Sequence, residues 1–555
     1  MTHPMTPLGR LGQFIRYERG IVWVVTCLAI GIGVLSLATP LAIQILINTV
    51  AFGALLQPIL ILAGLLTLCL SFSLLLRGMQ HWAAELLQRR LWVRVSADLA
   101  AKLPRVKLEA LSGKEGEGGA GLLNRFFDVL TLQKAASGLL IDGVSASLQA
   151  LVGLILLAFY HPLLLGFNLF LFICVAIIFL LGVGGQQTAI MESKYKYKLA
   201  GWLQEGARSP LAFRTSGGDG LMIDRSLSLI STYLNGRSKH FKVLLRQLMG
   251  VFSVKLLSSA LLLGLGGWLV MEKQLTLGQL VASELILTSV LAAFVKFGSK
   301  LESFYDLIAA LDKLGDLLDL PLEQDGSLSP SSLSEGPLSI SFESVRFRYA
   351  ASPRLVLHDL CAHIRPRERV ALVGPSGCGK RTALELLLGL HQPQAGVIRV
   401  GGFDLRDLSL QSLRAVVGLA EPEGVITGSV EENLLVGRAD ISPDDLKRAL
   451  DTCSLNAAIS ALPRGLQTQL NASGAPLSRG QVARLLLARA ILGSPKLLLI
   501  DALLDGLDDL SRAPLFDALF HPDAPWTLIV VTRDPEVMRR AERVWTLQAP
   551  TPELT

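Results

Sequence analysis

The sequence predicts a multi-domain protein: an all-α domain of six transmembrane spans with long cytoplasmic helical hairpins, followed by an α/β phosphate-loop domain. Three observations carry this reading. Two stretches, Ile21 to Leu76 and Gly143 to Met191, contain no Asp, Glu, Lys or Arg. Glu323 to Pro337 reads EQDGSLSPSSLSEGP, a polar, turn-rich segment of the kind that joins domains. Beyond it, the glycine-rich run Gly374 to Thr382 stands between a short apolar strand and a helical run. Composition agrees. Of 555 residues 51% are hydrophobic and 18% charged, against roughly 25% charged in an average soluble domain. That excludes a disordered chain, and a mean hydropathy of +0.49 argues against an ordinary soluble enzyme. The net charge of +6 could suggest nucleic acid. Its basic residues flank apolar runs, however, so membrane orientation explains them and no nucleic-acid partner is expected. Cys27, Cys69, Cys174, Cys361, Cys378 and Cys453 show neither metal-ligand spacing nor a disulfide framework.

One span takes about 20 residues, so the first uncharged stretch holds two, turning near Asn48 to Gln57. The second also holds two, turning at Tyr160-His161-Pro162. A third pair, Leu248 to Met271 and Leu277 to Val295, turns at Glu272-Lys273-Gln274. Basic residues set the orientation. Arg10, Arg16 and Arg19 precede the first span, and ten Lys and Arg lie in each of Arg77–Lys134 and Glu192–Gln247. The three short turns carry only Lys273. Both termini and both long loops are therefore expected in the cytoplasm, and a cleaved signal peptide is not expected. Span two is read as running on as a helix to Lys107, about 37 Å beyond the bilayer at 1.5 Å per residue. Gly113, Gly116, Gly118, Gly119 and Gly121 break the first hairpin, and Pro210 with Gly217-Gly218 the second. Asp142, Lys255 and Glu284 lie in or near spans. Such charges can line a translocation pathway, since they usually face a cavity. Asp142 and Lys255 also fit snorkelling at the inner interface. Glu284, about two turns into span six, is a candidate for a cavity-facing role.

In the soluble half, Leu338 to Tyr349 alternates as a strand, and Val370 to Val373 is a short buried strand. The loop Gly374-Pro375-Ser376-Gly377-Cys378-Gly379-Lys380-Arg381-Thr382 follows, then a helix over Ala383 to Leu390. Such a loop offers backbone N–H groups to phosphates at a helix N-terminus, with Lys380 reaching the outer ones. Apolar Leu497 to Ile500 ends in Asp501, where an acid holds Mg²⁺ in phosphate-loop proteins. Between them stands Leu477-Ser478-Arg479-Gly480-Gln481, opening a helix.

This set resembles the nucleotide-binding domain of ATP-binding-cassette exporters, and six preceding spans resemble the exporter half-transporter. Glu272 to Leu280 is most similar to the type I protein secretion and peptide exporter branch. The resemblance implies a transmembrane domain over 1–322, a linker over 323–337 and a nucleotide-binding domain over 338–549. It implies that two such domains clamp ATP head to tail, each site taking its phosphate loop from one domain and its signature from the other. Tyr349 would stack on adenine, while Gly374, Ser376, Gly377, Gly379, Lys380 and Thr382 would hold phosphates.

On the phosphate-loop side, four positions depart from the family pattern. Arg381 stands where Ser or Thr would ligate Mg²⁺, and Glu421 where a glutamine would sense the γ-phosphate. Ala502 replaces the glutamate that polarises water, and Arg533 the switch histidine. Ala472 further replaces an acid before the signature. No catalytic residue and no metal ligand is therefore assigned to this chain. The expectation is that Arg381 pairs with Asp501 and Glu421 in place of Mg²⁺, with Mg²⁺ bound only at a partner's site. The signature side is better kept: Ser478, Gly480 and Gln481 match, Arg479 replaces a glycine that close phosphate approach would favour, and Asp508 resembles the aspartate of the loop bridging two domains. The resemblance thus implies an export subunit of the bacterial plasma (inner) membrane, handling polypeptide or amphipathic cargo beside a second half-transporter. A periplasmic adaptor is a further partner it allows. ATPase activity is expected of the complex, not of this chain alone. The alternative is a nucleotide-binding, non-transporting membrane regulator or scaffold.

Overall fold

The computed structural model describes residues 5–51, 56–111, 118–215, 217–328, 336–350, 352, 354–507 and 509–548. Gly113, Gly116, Asp508 and the 329–335 part of the linker lie outside them. The chain divides into two compact units, the boundary falling between Pro321 and Leu322, with Lys107–Glu109 counted in the second.

Among the described residues, the first unit has six helices long and apolar enough to cross a membrane: Arg19–Val50, Leu56–Arg105, Gly121–Tyr160, Pro162–Arg208, Asp219–Met271 and Leu277–Leu318. The first is bent at Ser36–Leu37, where two helices, Arg19–Leu35 and Ala38–Ala51, meet. Pro40 lacks the N–H that would return to the Ser36 carbonyl, and Leu37 N turns to the Val34 carbonyl, so the Gly33 carbonyl accepts from Ser36 Oγ at 2.6 Å. The second helix is regular for 47 residues, Leu56–Lys102, about 70 Å long. It ends earlier than the expected Lys107 because Pro104 forces a short 3-10 turn, Leu103–Arg105. Only 6% of its apolar window is buried, so within this chain it is peripheral. His161 starts the fourth span as N-cap, its Nδ1 accepting from Leu163 N, with Pro162 in the first turn. A reciprocal cap between Thr276 and Gln279 starts the sixth. The unit's core is aliphatic, with Leu157, Leu164, Leu171, Leu262, Ile286 and Leu287 fully buried.

Asp142 is paired, which the sequence reading did not foresee. It sits in a π-helical turn, Leu139–Val144, and its carboxylate meets Lys296 at 2.7 Å and Lys300 at 2.9 Å on the sixth helix. It is paired across helices, because Lys296 and Lys300 stand one turn apart on the face opposite it. Lys255 is exposed, consistent with snorkelling. Glu284 is half-buried, and its Oε2 is buried without a hydrogen-bond partner among the described residues.

The second unit carries two main sheets. Strands β1 (Ile340–Phe347), β2 (Leu357–Ile364), β4 (Ala395–Val400) and β5 (Phe403–Asp404) form an antiparallel sheet in the order β2-β1-β4-β5. Strands β3 (Arg369–Val373), β6 (Val417–Ala420), β9 (Leu497–Asp501), β10 (Thr527–Val531) and β11 (Arg543–Thr546) form a parallel sheet in the order β11-β3-β10-β9-β6. A small pair, β7 (Gly428–Ser429) with β8 (Gln469–Leu470), completes the set. Every residue of β9 and β10 is buried, as apolar runs in a sheet covered on both faces require. The described part of the linker is not free chain. Asp325 Oδ1 accepts from Leu410 N at 2.6 Å, Glu323 takes Arg414 at 2.6 Å, and Leu328 bridges to Leu408. Its polar residues find partners on this unit, which composition alone does not reveal.

Candidate functional site

In open parallel sheets, ligands bind beyond the carboxyl ends of the strands. Register brings the expected residues to that edge. Val531 pairs with Leu372 on one side and Asp501 on the other, and Ala420 pairs with Ile500. The loop after β3, Asp501 at the end of β9, the Thr532-Arg533 turn after β10 and Glu421 after β6 therefore leave the sheet as neighbours.

The phosphate loop is shaped by glycine. Gly374, Gly377 and Gly379 have φ of +149°, +82° and +93°. A Cβ on Gly374 would lie 2.5 Å from the Leu547 carbonyl oxygen, whereas one on Gly377 meets nothing within 4 Å. The first glycine is needed for close packing, and the second keeps an open concavity with Ser376 exposed beside it. Left-handed Gly379 then starts the helix at Lys380, which runs to Leu387. This places Lys380, Arg381 and Thr382 in its first turn and corrects the expected start at Ala383 and end at Leu390. Lys380 Nζ donates at 2.8 Å to the carbonyls of Gly374 and Pro375, folding back over the loop as a phosphate-binding lysine must. This cradle fits the phosphates of a nucleotide.

The metal position does not fit Mg²⁺. Arg381 Nε lies 3.2 Å from Glu385 Oε1 and 3.9 Å from Asp501 Oδ2, and its Nη2 lies 3.2 Å from Glu421 Oε2. A guanidinium thus stands among the acids, with no hydroxyl from residue 381. Among the described residues, no group of three His, Cys, Asp or Glu is placed to hold a metal ion. Burial pushes Asp501 and Glu421 above the usual carboxylate range, with Arg381 opposing it in both.

Glu385 was not singled out from sequence, although its i,i+4 spacing to Arg381 on a helix was the available signal. It accepts from the Tyr349 hydroxyl at 2.9 Å and meets His391 Nε2 at 3.4 Å. Tyr349 is half-buried, its hydroxyl 2.9 Å from Thr382 Oγ1 and its ring edge-on to Phe347 and His391. Burial opposes ionisation of Glu385, but the His391 and Tyr349 hydrogen bonds outweigh it and hold its pKa below the usual range. The same Glu385 bond raises His391 above an ordinary imidazole. A raised folded-state pKa stabilises fully below about 6.5, the unfolded value. The contribution fades as pH climbs through the raised value. The stability lost in His391→Gln is expected to shrink between mildly acidic and alkaline pH. Thermal melts across that range check it, and a loss that grows with pH would refute it.

Ala502 is exposed with φ of +53°, and its N–H donates to the Val531 carbonyl at 3.0 Å. Arg533 is exposed and makes no side-chain ion pair among the described residues, so it does not join the acid cluster. Its turn is held by Asp505, which accepts from Thr532 Oγ1 at 2.6 Å and Arg533 N at 3.2 Å. Asp505 was also missed from sequence.

The signature residues stand apart from this cluster. Ser478 is the N-cap of the helix Arg479–Ile491. Its Oγ accepts from Gln481 N, and Gln481 Oε1 accepts from Ser478 N at 2.8 Å. Leu485 to Ala488 are buried and anchor the helix, leaving Ser478 and Arg479 exposed and Gly480 and Gln481 half-exposed at its start. Helix N-termini favour anions.

Residues 357–503 match the ABC transporter family model. The multidrug efflux ATP-binding/permease protein of Mycobacterium bovis (strain BCG / Pasteur 1173P2) is 31% identical over 59% of this chain and 27% of its own length. The mycobactin import ATP-binding/permease protein of Mycolicibacterium thermoresistibile is 30% identical over 56% of this chain and 53% of its own. A lactococcin transport/processing ATP-binding protein-like protein of Lactococcus lactis subsp. lactis (strain IL1403) is 30% identical over 53% and 40%. The chain thus spans about a quarter to about half of the length of these relatives. A solved bacterial Atm1-family ABC exporter with ATP bound superposes with a TM-score of 0.84 at 20% identity, covering 97% of this chain and 95% of that one. The chain therefore has the fold of that exporter, six helices long and apolar enough to cross a membrane followed by one α/β phosphate-loop domain, and the stretch 357–503 of that domain matches the ABC transporter family.

Proposed function

We propose that this chain is one half of an ATP-driven exporter of the bacterial plasma membrane, multi-pass with both termini cytoplasmic. Its Ser478, Gly480, Gln481 and Asp508 complete a phosphate site on a second half-transporter, and its own site does not hydrolyse ATP. The observation that carries this is the contrast between the two halves of the motif set. Ser478 and Gln481 form an intact, reciprocally capped helix start, while a guanidinium stands where the metal ligand should be and Ala502 where the base should be. Loss of a general base alone costs about 10²–10⁴-fold, and here the metal ligand, base and switch histidine are all replaced. Mg²⁺ then acts at the partner's site, and nucleotide in this chain's site serves as a static clamp. Export as the direction rests on the likeness to the Atm1-family exporter and to the multidrug efflux and lactococcin transport relatives, against the mycobactin import relative. The type I secretion-like wording of Glu272 to Leu280 and the lactococcin relative support a polypeptide or other amphipathic cargo, with or without a periplasmic adaptor.

The test is mass spectrometry of what co-purifies with the chain from its native membrane. A stoichiometric second half-transporter bearing a phosphate-loop Ser or Thr and a glutamate after its strand-end aspartate is the expected result. Recovery of the chain alone, or with unrelated proteins, would instead support a nucleotide-binding regulator or scaffold that does not transport.

A further inference from the structure

We propose that the phosphate-loop site takes a nucleoside triphosphate free of divalent cation, with the Arg381 guanidinium as its resident cation. This rests on the reading above that the site holds nucleotide without turning it over, and it names the form of that nucleotide.

A triphosphate beside Asp501 and Glu421 meets like charge, which a divalent ion ordinarily reconciles by bridging carboxylate and phosphate oxygens. Here the bridge can be built from the chain itself. Arg381 donates Nε to Glu385 and Nη2 to Glu421, both at 3.2 Å, faces Asp501 at the ion-pair distance of 3.9 Å, and makes no hydrogen bond through Nη1 among the described residues. A guanidinium offers five donors in a planar fork suited to carboxylate and phosphate alike. Nε and Nη2 are thus committed to acids, and the Nη1 donors remain for a phosphate oxygen. Arg381 follows Lys380 directly in the helix's first turn, so both cations belong to the loop that cradles the phosphates.

Entry of Mg²⁺ would require Asp501 and Glu421 to leave Arg381, and would find no hydroxyl at residue 381 to complete its shell. Glu385 makes that rearrangement harder. The carboxylate that takes Arg381 Nε also takes the Tyr349 hydroxyl at 2.9 Å and faces His391 at 3.4 Å, the latter side chain only 3% exposed. Moving the guanidinium therefore disturbs the residue expected to stack on the base. With the Arg381 side chain half-exposed, the three ion pairs contribute little to stability as surface contacts. Their consequence lies in which ion the site accepts.

The experiment uses the full-length chain in lipid nanodiscs, with a fluorescent ATP analogue displaced by ATP, in EDTA and in millimolar Mg²⁺. Wild-type affinities are expected to agree within about twofold between the two buffers, against the tenfold that 1.4 kcal/mol represents. Arg381→Ser should weaken binding at least about tenfold in EDTA and regain it with Mg²⁺, while Arg381→Lys, which keeps the charge but loses the fork, should fall between. Electron paramagnetic resonance of added Mn²⁺ with ATP gives a second readout: protein-bound Mn²⁺ should appear in Arg381→Ser and not in wild type. A wild-type affinity that rises tenfold or more with Mg²⁺ overturns the proposal, as does absence of nucleotide binding in both buffers. The wild-type comparison needs no variant to fold. Neither overturning result touches the partner-site reading, which the signature variant below tests separately.

Discussion

Gly480→Asp in the assembled transporter is expected to lower ATPase activity by about 10²–10³-fold, the loss that follows removal of one preorganised transition-state donor. Gly480 lies in the first turn of the helix that Ser478 caps. An aspartate there suits the positive end of the helix dipole, so the variant should fold at least as well as wild type. Its charge would nevertheless stand where the partner's γ-phosphate must approach. Lys380→Ala, in this chain's own phosphate loop, loosens the nucleotide clamp but removes no hydrolytic step, so at saturating ATP it should lower the same rate by about tenfold at most. The pair is discriminating. Equal losses from both variants would mean that this chain's own site turns over ATP, and no loss from Gly480→Asp would remove the composite site altogether.

The second large effect is on stability. Gly374→Ala is expected to cost the soluble unit about 3 kcal/mol or more and to abolish nucleotide binding. The added Cβ would meet the Leu547 carbonyl oxygen at 2.5 Å and Cys378 Sγ at 2.7 Å, at a φ of +149°. The carbonyl belongs to the backbone just beyond β11 and the thiol is buried, so neither yields cheaply. Gly377→Ala, three residues on, carries only the left-handed strain, about 1 kcal/mol, because its Cβ meets nothing within 4 Å. Differential scanning calorimetry of both variants measures the gap. Equal destabilisation would show that backbone conformation, and not the contact with Leu547, governs this loop.

Some of this was legible from the chain alone because its signals are local. Uncharged runs mark spans whatever they pack against, since lipid demands apolar side chains over a fixed length. Pro162 and the Thr276–Gln279 cap punctuate helices within a few residues. The phosphate loop reads from one apolar strand and its glycines, and the signature from a serine and a glutamine three residues apart. Pro40 and Pro104 were equally local and were passed over, although each interrupts a helix by removing a backbone donor. The i,i+4 pair of Arg381 and Glu385 was legible in the same way.

By itself, then, the sequence determined six apolar helices, a phosphate-loop domain and the residue types at each motif position. It also determined that Arg381 and Ala502 stand at the positions where the resemblance expects a metal ligand and a base. Tertiary structure alone decided which groups meet. The parallel register sets Val531 between Leu372 and Asp501 and Ala420 beside Ile500, so Glu421 and Asp501 converge on Arg381 from separate strands. Helix packing decided that Asp142 faces Lys296 and Lys300, and the turn after β10 that Asp505 holds Thr532. Local propensity follows from a residue and its near neighbours. Strand register and helix packing follow from burying apolar faces contributed by distant parts of the chain, and charge pairs riding on those faces are settled only when the faces come together.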